Sequence, residues 1–332
     1  IKLKRIRETI SIVMIVSAGL SMTGTMLAAD PVGAALCGIE GAPVFNLMSM
    51  MPVYFAMMII GISDSAKHYA KYFLTEGYSQ KDLKRLFLGF VVAGGSVYRR
   101  DGKYCVRYYG KDTSMHRMFS DLAHHIYGSK PQTVDIENRG TCMSQFYSKQ
   151  AVQEICEFSP EMASRKGETP TITYILEGDR RVKVEAARIA MSTAGWITCC
   201  FPSSEGWSRV YPRLGFGSVL DIKLAYEYAH LMESVTLSMN HYGNNKYHGK
   251  GYLATTDQEE MRCFLNAGGF FRGSTVKKGA FSGIDKNRLL QALVDNRGAE
   301  YESKTCAINY VNKNCNDDSQ DLNIFMNRIM LG

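Results

Sequence analysis

Apolar residues change their spacing in a repeating order from residue 80 onward. Over 80–94 they crowd a helical stretch, Arg85-Leu86-Phe87-Leu88-Gly89-Phe90-Val91-Val92-Ala93, which opens at Ser79-Gln80-Lys81-Asp82 and closes at Gly94-Gly95. A serine with an acid one helical turn later is a capping arrangement, and glycine ends a helix readily. Strand-like runs at 96–100 and 103–109 follow, joined by the hairpin signal Asp101-Gly102. Met115, Met118, Phe119, Leu122 and Ile126 fall on one face of a helix predicted over 114–127. Strands near 132–138 and 141–147 and a helix over 149–158 complete the order helix, hairpin, helix, hairpin, helix.

The same order starts again at Ala187-Arg188-Ile189-Ala190-Met191-Ser192-Thr193-Ala194-Gly195. Strands are predicted near 196–201 and 209–216, a long helix over 221–239, strands around 246–254, a helix over 257–267, a strand near 273–277 and a helix over 286–295. Between the halves, a stretch containing Pro160, Gly167, Pro170 and Gly178 reads as a linker with a short strand at 171–176. The expected organisation is therefore an apolar helical extension (1–79), a first half (80–160), a linker (161–184), a second half (185–296) and a tail (297–332). In that tail the Asn/Asp-rich run 312–320 reads as a loop before a terminal helix.

Between Thr9 and Ile62 the charged residues are Asp30 and Glu40 alone. The stretch 9–29 follows the basic run 2–7 in the manner of a signal-like or membrane-anchoring segment, and 43–62 is similar but holds Pro52. The alternative is a small helical module whose helices bury one another. Its many Gly and Ser residues weaken the apolar character, and this reading is preferred to membrane contact.

The 332 residues suffice for two domains or one large pseudo-symmetric domain with an extension. A net charge of +7, from 39 basic and 32 acidic residues, suits a polyanionic partner. The 9 cysteines are scattered without a CxxC spacing, and the 7 histidines are dispersed. That pattern argues against a zinc site and a disulfide framework and for a reducing, intracellular compartment.

The two helical segments, each running through small residues to Gly95 or Gly195 and then into a strand, resemble the motif of LAGLIDADG homing endonucleases. Two copies with the same following order resemble the single-chain, archaeal-type branch of that family, as does Gly283-Ile284-Asp285-Lys286-Asn287-Arg288-Leu289-Leu290. The resemblance implies an α/β (α+β), pseudo-two-fold fold of two αββαββα halves. The motif helices pack at the centre through Gly89, Ala93, Gly95, Ala190, Ser192 and Gly195, and two antiparallel sheets form a saddle for DNA.

It also implies a site at the helix ends. Relatives hold Mg²⁺ between two motif acids and nearby carbonyls, and the ions activate water and stabilise the leaving oxygen. By position those acids would stand at Gly94 and Ala194, and the carbonyls would be those of Ala93 and Thr193. Neither Gly94 nor Ala194 carries a carboxylate, so Mg²⁺ binding and hydrolysis are expected to be impaired in this copy. Asp82 and Glu185 lie too far along their helices to substitute. Lys149 and Lys286, read as matching residues at the start of the last helix of each half, are candidate assisting bases.

Alternate strand residues share a face, so exposed strands can offer basic side chains to phosphates and base edges. The candidates are Arg99, Arg100, Lys103, Arg107 and Lys111 in the first half and Arg209, Arg213, Lys246, Lys250, Arg272, Lys277 and Lys278 in the second. The expected partner is double-stranded DNA, bound by a monomer along a long asymmetric site. The alternative is a non-catalytic maturase on structured intron RNA, or a domesticated ribonucleoprotein subunit.

Overall fold

The Ser79 hydroxyl accepts from the Asp82 amide, and from that cap helix α1 runs Gln80–Gly94. The computed structural model describes residues 77–100, 102–136, 140–163, 169–204, 206–243 and 250–315. The apolar stretches within 9–62, Lys246 and the end of the tail lie outside the described residues. No helix among those described is long and apolar enough to cross a membrane.

After α1 come β1 (Gly95–Arg100), β2 (Lys103–Gly110), α2 (Thr113–Tyr127), β3 (Gln132–Ile136), β4 (Thr141–Tyr147) and α3 (Lys149–Phe158). The strands form an antiparallel sheet in the order β1-β2-β4-β3. Gly102, at a positive φ of 72°, makes the tight turn of the first hairpin. On the inner face Val106, Tyr108 and Phe146 meet Phe87, Phe90 and Phe119 in an aromatic core with ring centroids 5.2–6.1 Å apart.

The second half repeats the plan. Helix α5 (Arg180–Ala194) leads into β5 (Gly195–Cys200) and β8 (Tyr211–Leu220), then α6 (Ile222–Glu233), β9 (Asn240–Gly243), β10 (Gly251–Thr255) and α7 (Gln258–Asn266). Its sheet order, β5-β8-β10-β9, matches that of the first half. The two αββαββα halves are related by a pseudo-two-fold repeat of element order, as the resemblance led one to expect, with α1 packed against α5. Both helices are buried along their middle turns, from Leu83 to Val91 and from Val182 to Thr193. Additions follow: α8 (Lys286–Asp295), β11 (Glu300–Tyr301) and α9 (Lys304–Cys315), while β6 (Ser203–Ser204) and β7 (Trp207–Arg209) join β11 in a small third sheet.

Several elements differ from the pattern-based expectation, each for a reason outside its own sequence. The stretch read as a strand at 171–176 holds a helical turn, α4 (Thr173–Leu176), because the distant Glu227 carboxylate accepts from the Ile172 amide and the Thr171 hydroxyl and so caps it. Helix α5 begins at Arg180, capped by Asp179, which accepts from the Val182 amide. Helix α6 stops at Glu233, well short of 239. Ser234 donates its hydroxyl to the Leu231 carbonyl, Thr236 takes a φ of 61°, and the Leu237 amide turns back to the Met232 carbonyl. Val235, Leu237 and Met239 remain buried, so the apolar pattern continues past the helix end. The strand expected at 273–277 is a loop closed by Val276-to-Ile284 and Gly283-to-Val276 backbone bonds. Residues 312–315 are helical, since Ala307, Val311 and Cys315 form the buried stripe of α9.

Arg188 ties the loop after α7 to the second motif helix. Its Nε donates to the Gly269 carbonyl at 3.0 Å, Nη2 to the Gly268 carbonyl at 3.1 Å, and Nη1 to Glu185 at 3.0 Å, while the guanidinium lies 4.3 Å from the Phe271 ring centroid. Glu185 is also buried. Arg188→Met should destabilise the fold by removing a buried ion-pair partner of Glu185 together with the donors to the Gly268 and Gly269 carbonyls. Combining it with Glu185→Leu should recover part of the loss, and urea unfolding of the three variants measures both effects.

Candidate nucleic-acid interface

The motif helices converge toward their C-termini. A Cβ placed on Gly89 would rest 3.8 Å from Ile189 Cγ2, an ordinary contact, whereas one on Gly94 would fall inside the van der Waals sphere of Thr193 Cγ2 and 3.3 Å from Tyr108 Cε2. Threonine is stiff at χ1, so its methyl does not swing aside cheaply. The direction in which an acid at 94 would project is filled by the opposite helix.

The last turn of a helix leaves carbonyls without intrahelical partners and a partial negative charge. At the end of α5 two lysines meet them. Lys286 Nζ donates to the Ser192 carbonyl at 3.1 Å and the Gly195 carbonyl at 2.7 Å, and lies 4.9 Å from the Phe270 ring centroid. Lys277 Nζ donates to the Thr193 carbonyl at 3.3 Å. Burial, with the like charge of Lys277, pushes the Lys286 ammonium down to about 7, and burial lowers Lys277 as well, with Lys111 adding to it and Asp112 opposing. Asp112, in the turn between β2 and α2, accepts from the Thr275 amide at 3.1 Å and its hydroxyl at 2.7 Å, which joins the first half to the loop that carries Lys277.

These residues do not fit a divalent ion. Both motif positions lack a carboxylate, the Thr193 carbonyl faces an ammonium, and Ala93 brings only its backbone. Among the described residues no three His, Cys, Asp or Glu side chains gather as a metal site. Lys149 and Lys286 are not counterparts either. Lys149 is exposed at the start of α3, whose topological partner is α7, whereas Lys286 is buried at the start of α8, beyond the repeat.

Strand register sorts the basic candidates. Val97 pairs with Val106, inward, so the neighbouring pairs Ser96–Arg107 and Tyr98–Cys105, and Lys103 two residues before Cys105, belong to the outer face. Gln145, Met143 and Tyr147 on β4 share it. Arg99 is paired with Tyr104 on the inner side, its guanidinium 5.8 Å from that ring and its charge felt by Cys156 of α3. In the second sheet Trp196, Thr198, Arg213, Tyr242 and Tyr252 face outward. Arg209 is elsewhere, on β7, bound to Glu300 of β11 with Nε 2.7 Å from the carboxylate. Lys111 is exposed between β2 and α2, Arg272 and Lys278 are exposed in the loop before α8, and Lys250 immediately precedes β10.

Arg107 and Arg213 have a common setting. Each guanidinium lies over a tyrosine, Tyr98 at 5.5 Å and Tyr242 at 5.3 Å, and each buried Nε has no acceptor in the protein. No Asp or Glu occupies an outward position of either four-stranded sheet among the described residues. The sequence reading offered Tyr98 and Tyr109 of the first hairpin but missed Asp112, Thr275, the role of Arg188 and the outward aromatics of the second sheet.

No family model and no curated protein matches the chain. Among solved structures it is similar to I-DmoI in complex with DNA and Ca at 12% identity, covering 57% of this chain and 89% of that one with a TM-score of 0.39. The meganuclease I-SmaMI bound to uncleavable DNA matches at 12% identity, 64% and 89% coverage and TM-score 0.42. The N-terminal LAGLIDADG domain of DUF199/WhiA matches at 11%, 62% and 90%, and 0.38. The fold assignment stands on the chain's own element order and sheet topology.

Gly94→Asp alone should lower the thermal midpoint, and adding Thr193→Ala should restore most of it. A double-mutant cycle should give a coupling of about 0.5–3 kcal/mol, as expected for residues in contact; additivity would mean that the two do not meet. Lys286 yields a pH signature. Its folded-state value of about 7 lies below the ordinary 10.5, so between these values the unfolded chain binds more protons and stability rises with pH. The melting temperature of the wild type relative to Lys286→Met should climb across that window.

Proposed function

We propose that this chain binds duplex DNA along the outer faces of its two sheets and does not cleave it. The observation that carries the reading is that, among the described residues, the outer faces of both sheets lack carboxylates and bear Lys103, Arg107 and Arg213 at outward positions. A surface of that charge attracts phosphates and releases their counterions, and its strand spacing suits a groove. I-DmoI and I-SmaMI, in the complexes named above, hold DNA, which is in keeping with this reading.

Hydrolysis through a metal is not part of the proposal, because Gly94 and Ala194 supply no charge and Lys277 and Lys286 already satisfy carbonyls at the end of α5. Binding should therefore be indifferent to divalent ions. Lys111, Lys250, Arg272 and Lys278 are further candidates for backbone contacts.

The test is fluorescence anisotropy with a duplex selected from a random library, repeated in Mg²⁺ and in EDTA at matched ionic strength. Affinity should be equal in the two, with no nicking in Mg²⁺. Lys103→Gln and Arg107→Gln should each weaken binding and reduce the salt slope by about one, as for a lost phosphate contact. Arg99→Gln, on the inner side, should leave the slope unchanged. Failure to bind duplex at low salt, or an Arg99 effect as large as that of Arg107, would overturn the reading.

A further inference from the structure

Trp196 stands on the outer face of the second sheet, opposite Gly215. A Cβ at Gly215 would meet Trp196 Cζ2, Cε2 and Cη2, consecutive atoms of the six-membered ring, at nearly equal distances. An atom so placed lies over the ring face and not at its edge, so the indole rests flat on the strand. Its Nε1 donates to the Gly217 carbonyl at 2.8 Å and fixes that pose. The floor beneath is free of bulk, since Gly215 pairs on its other side with Ala254.

Other outward side chains flank the indole. Tyr252 makes a wall, its ring at 68° to the indole with centroids 5.4 Å apart. Tyr242 stacks behind Tyr252 at 5.3 Å and 16°, and Arg213 lies over Tyr242. Thr198 is outward and exposed on the same strand. The first sheet has nothing equivalent: the residue after its motif glycine is Ser96 where the second has Trp196.

A half-buried ring pressed flat against backbone offers its other π face. Within a duplex the bases stack on one another and present only their edges in the grooves, so that face would have no partner. An unpaired base does present a face, and aromatic side chains on sheets hold such bases by stacking while nearby cations hold the backbone. We infer that the second sheet carries a stacking site for an unpaired nucleobase, with Trp196 as its platform, Tyr252 as its wall and Arg213 as the adjacent cation. The inference rests on the reading that the outer faces bind nucleic acid, and it specifies a single strand or a duplex with an extruded base as ligand. DNA and RNA share this chemistry.

The chain has 2 tryptophans, Trp196 and the exposed Trp207 of β7. Trp207→Phe therefore leaves emission from Trp196 alone. Oligo(dT) and oligo(rU) of about a dozen nucleotides, a fully paired duplex and the same duplex with one bulged base are titrated against that protein, with anisotropy read in parallel. The single strands and the bulged duplex should quench Trp196, and the paired duplex should not. Trp196→Leu, which still covers Gly215, should lose about tenfold in single-strand affinity and stay within twofold on paired duplex, whereas Trp196→Phe should retain most of both. If the leucine variant does not fold, the quenching titration decides alone. Stronger quenching by oligo(rU) or by oligo(dT) supports the site and tells which strand it prefers. Duplex binding without quenching by any unpaired base sinks the stacking site and leaves the duplex reading standing. Binding to none of the probes sinks both.

Discussion

The close approach of two helix ends is the constraint from which the rest of the molecule follows. A side chain at residue 94 would meet Thr193 of the facing helix, and one of the two would have to shift. Packing at that density tolerates almost no added volume. The helix that brings Thr193 there is buried on nearly every side, so its polar groups must find partners inside the protein.

Those partners come from one loop. Arg188 takes two carbonyls at its start, the Ser192 hydroxyl accepts from the Phe271 amide, and Lys277 and Lys286 take carbonyls at the helix end. Asn287 clamps both the amide and the carbonyl of Phe270. A buried ammonium is costly unless hydrogen-bonded, and helix-end carbonyls are among the better acceptors for it. The protein thus meets the helix-end carbonyls with donors from its own side chains at a point where a cation is electrostatically favoured.

Much of this architecture was legible in the sequence. The helices at 149–158 and 286–295, the Asp101-Gly102 hairpin and the doubled order of elements follow from spacing and turn chemistry that act within a few residues. What could not be read depends on contacts made across the fold. Glu227 decides that 173–176 is helical, and the burial of Leu237 and Met239 in a turn prolongs an apparent helix past its end. The basic residues show the same limit. Arg99 and Lys103 lie on the two strands of one hairpin, and only the strand register separates the one that faces α3 from the one on the outer side. Lys149 and Lys286 looked equivalent because each starts a helix after a strand-like run, and only the topology shows that α8 is an addition.

The bond from Asp112 to Thr275 runs from a turn of the first half to a loop that precedes α8. It is therefore made once, in one sense only, across halves that otherwise repeat each other. A symmetric pair would present the same surface after half a rotation. Here the flat indole and the third sheet belong to the second half, and the latch reaches to it from the first, so among the described residues the two faces are not interchangeable and a long partner laid along them would meet them in a fixed order.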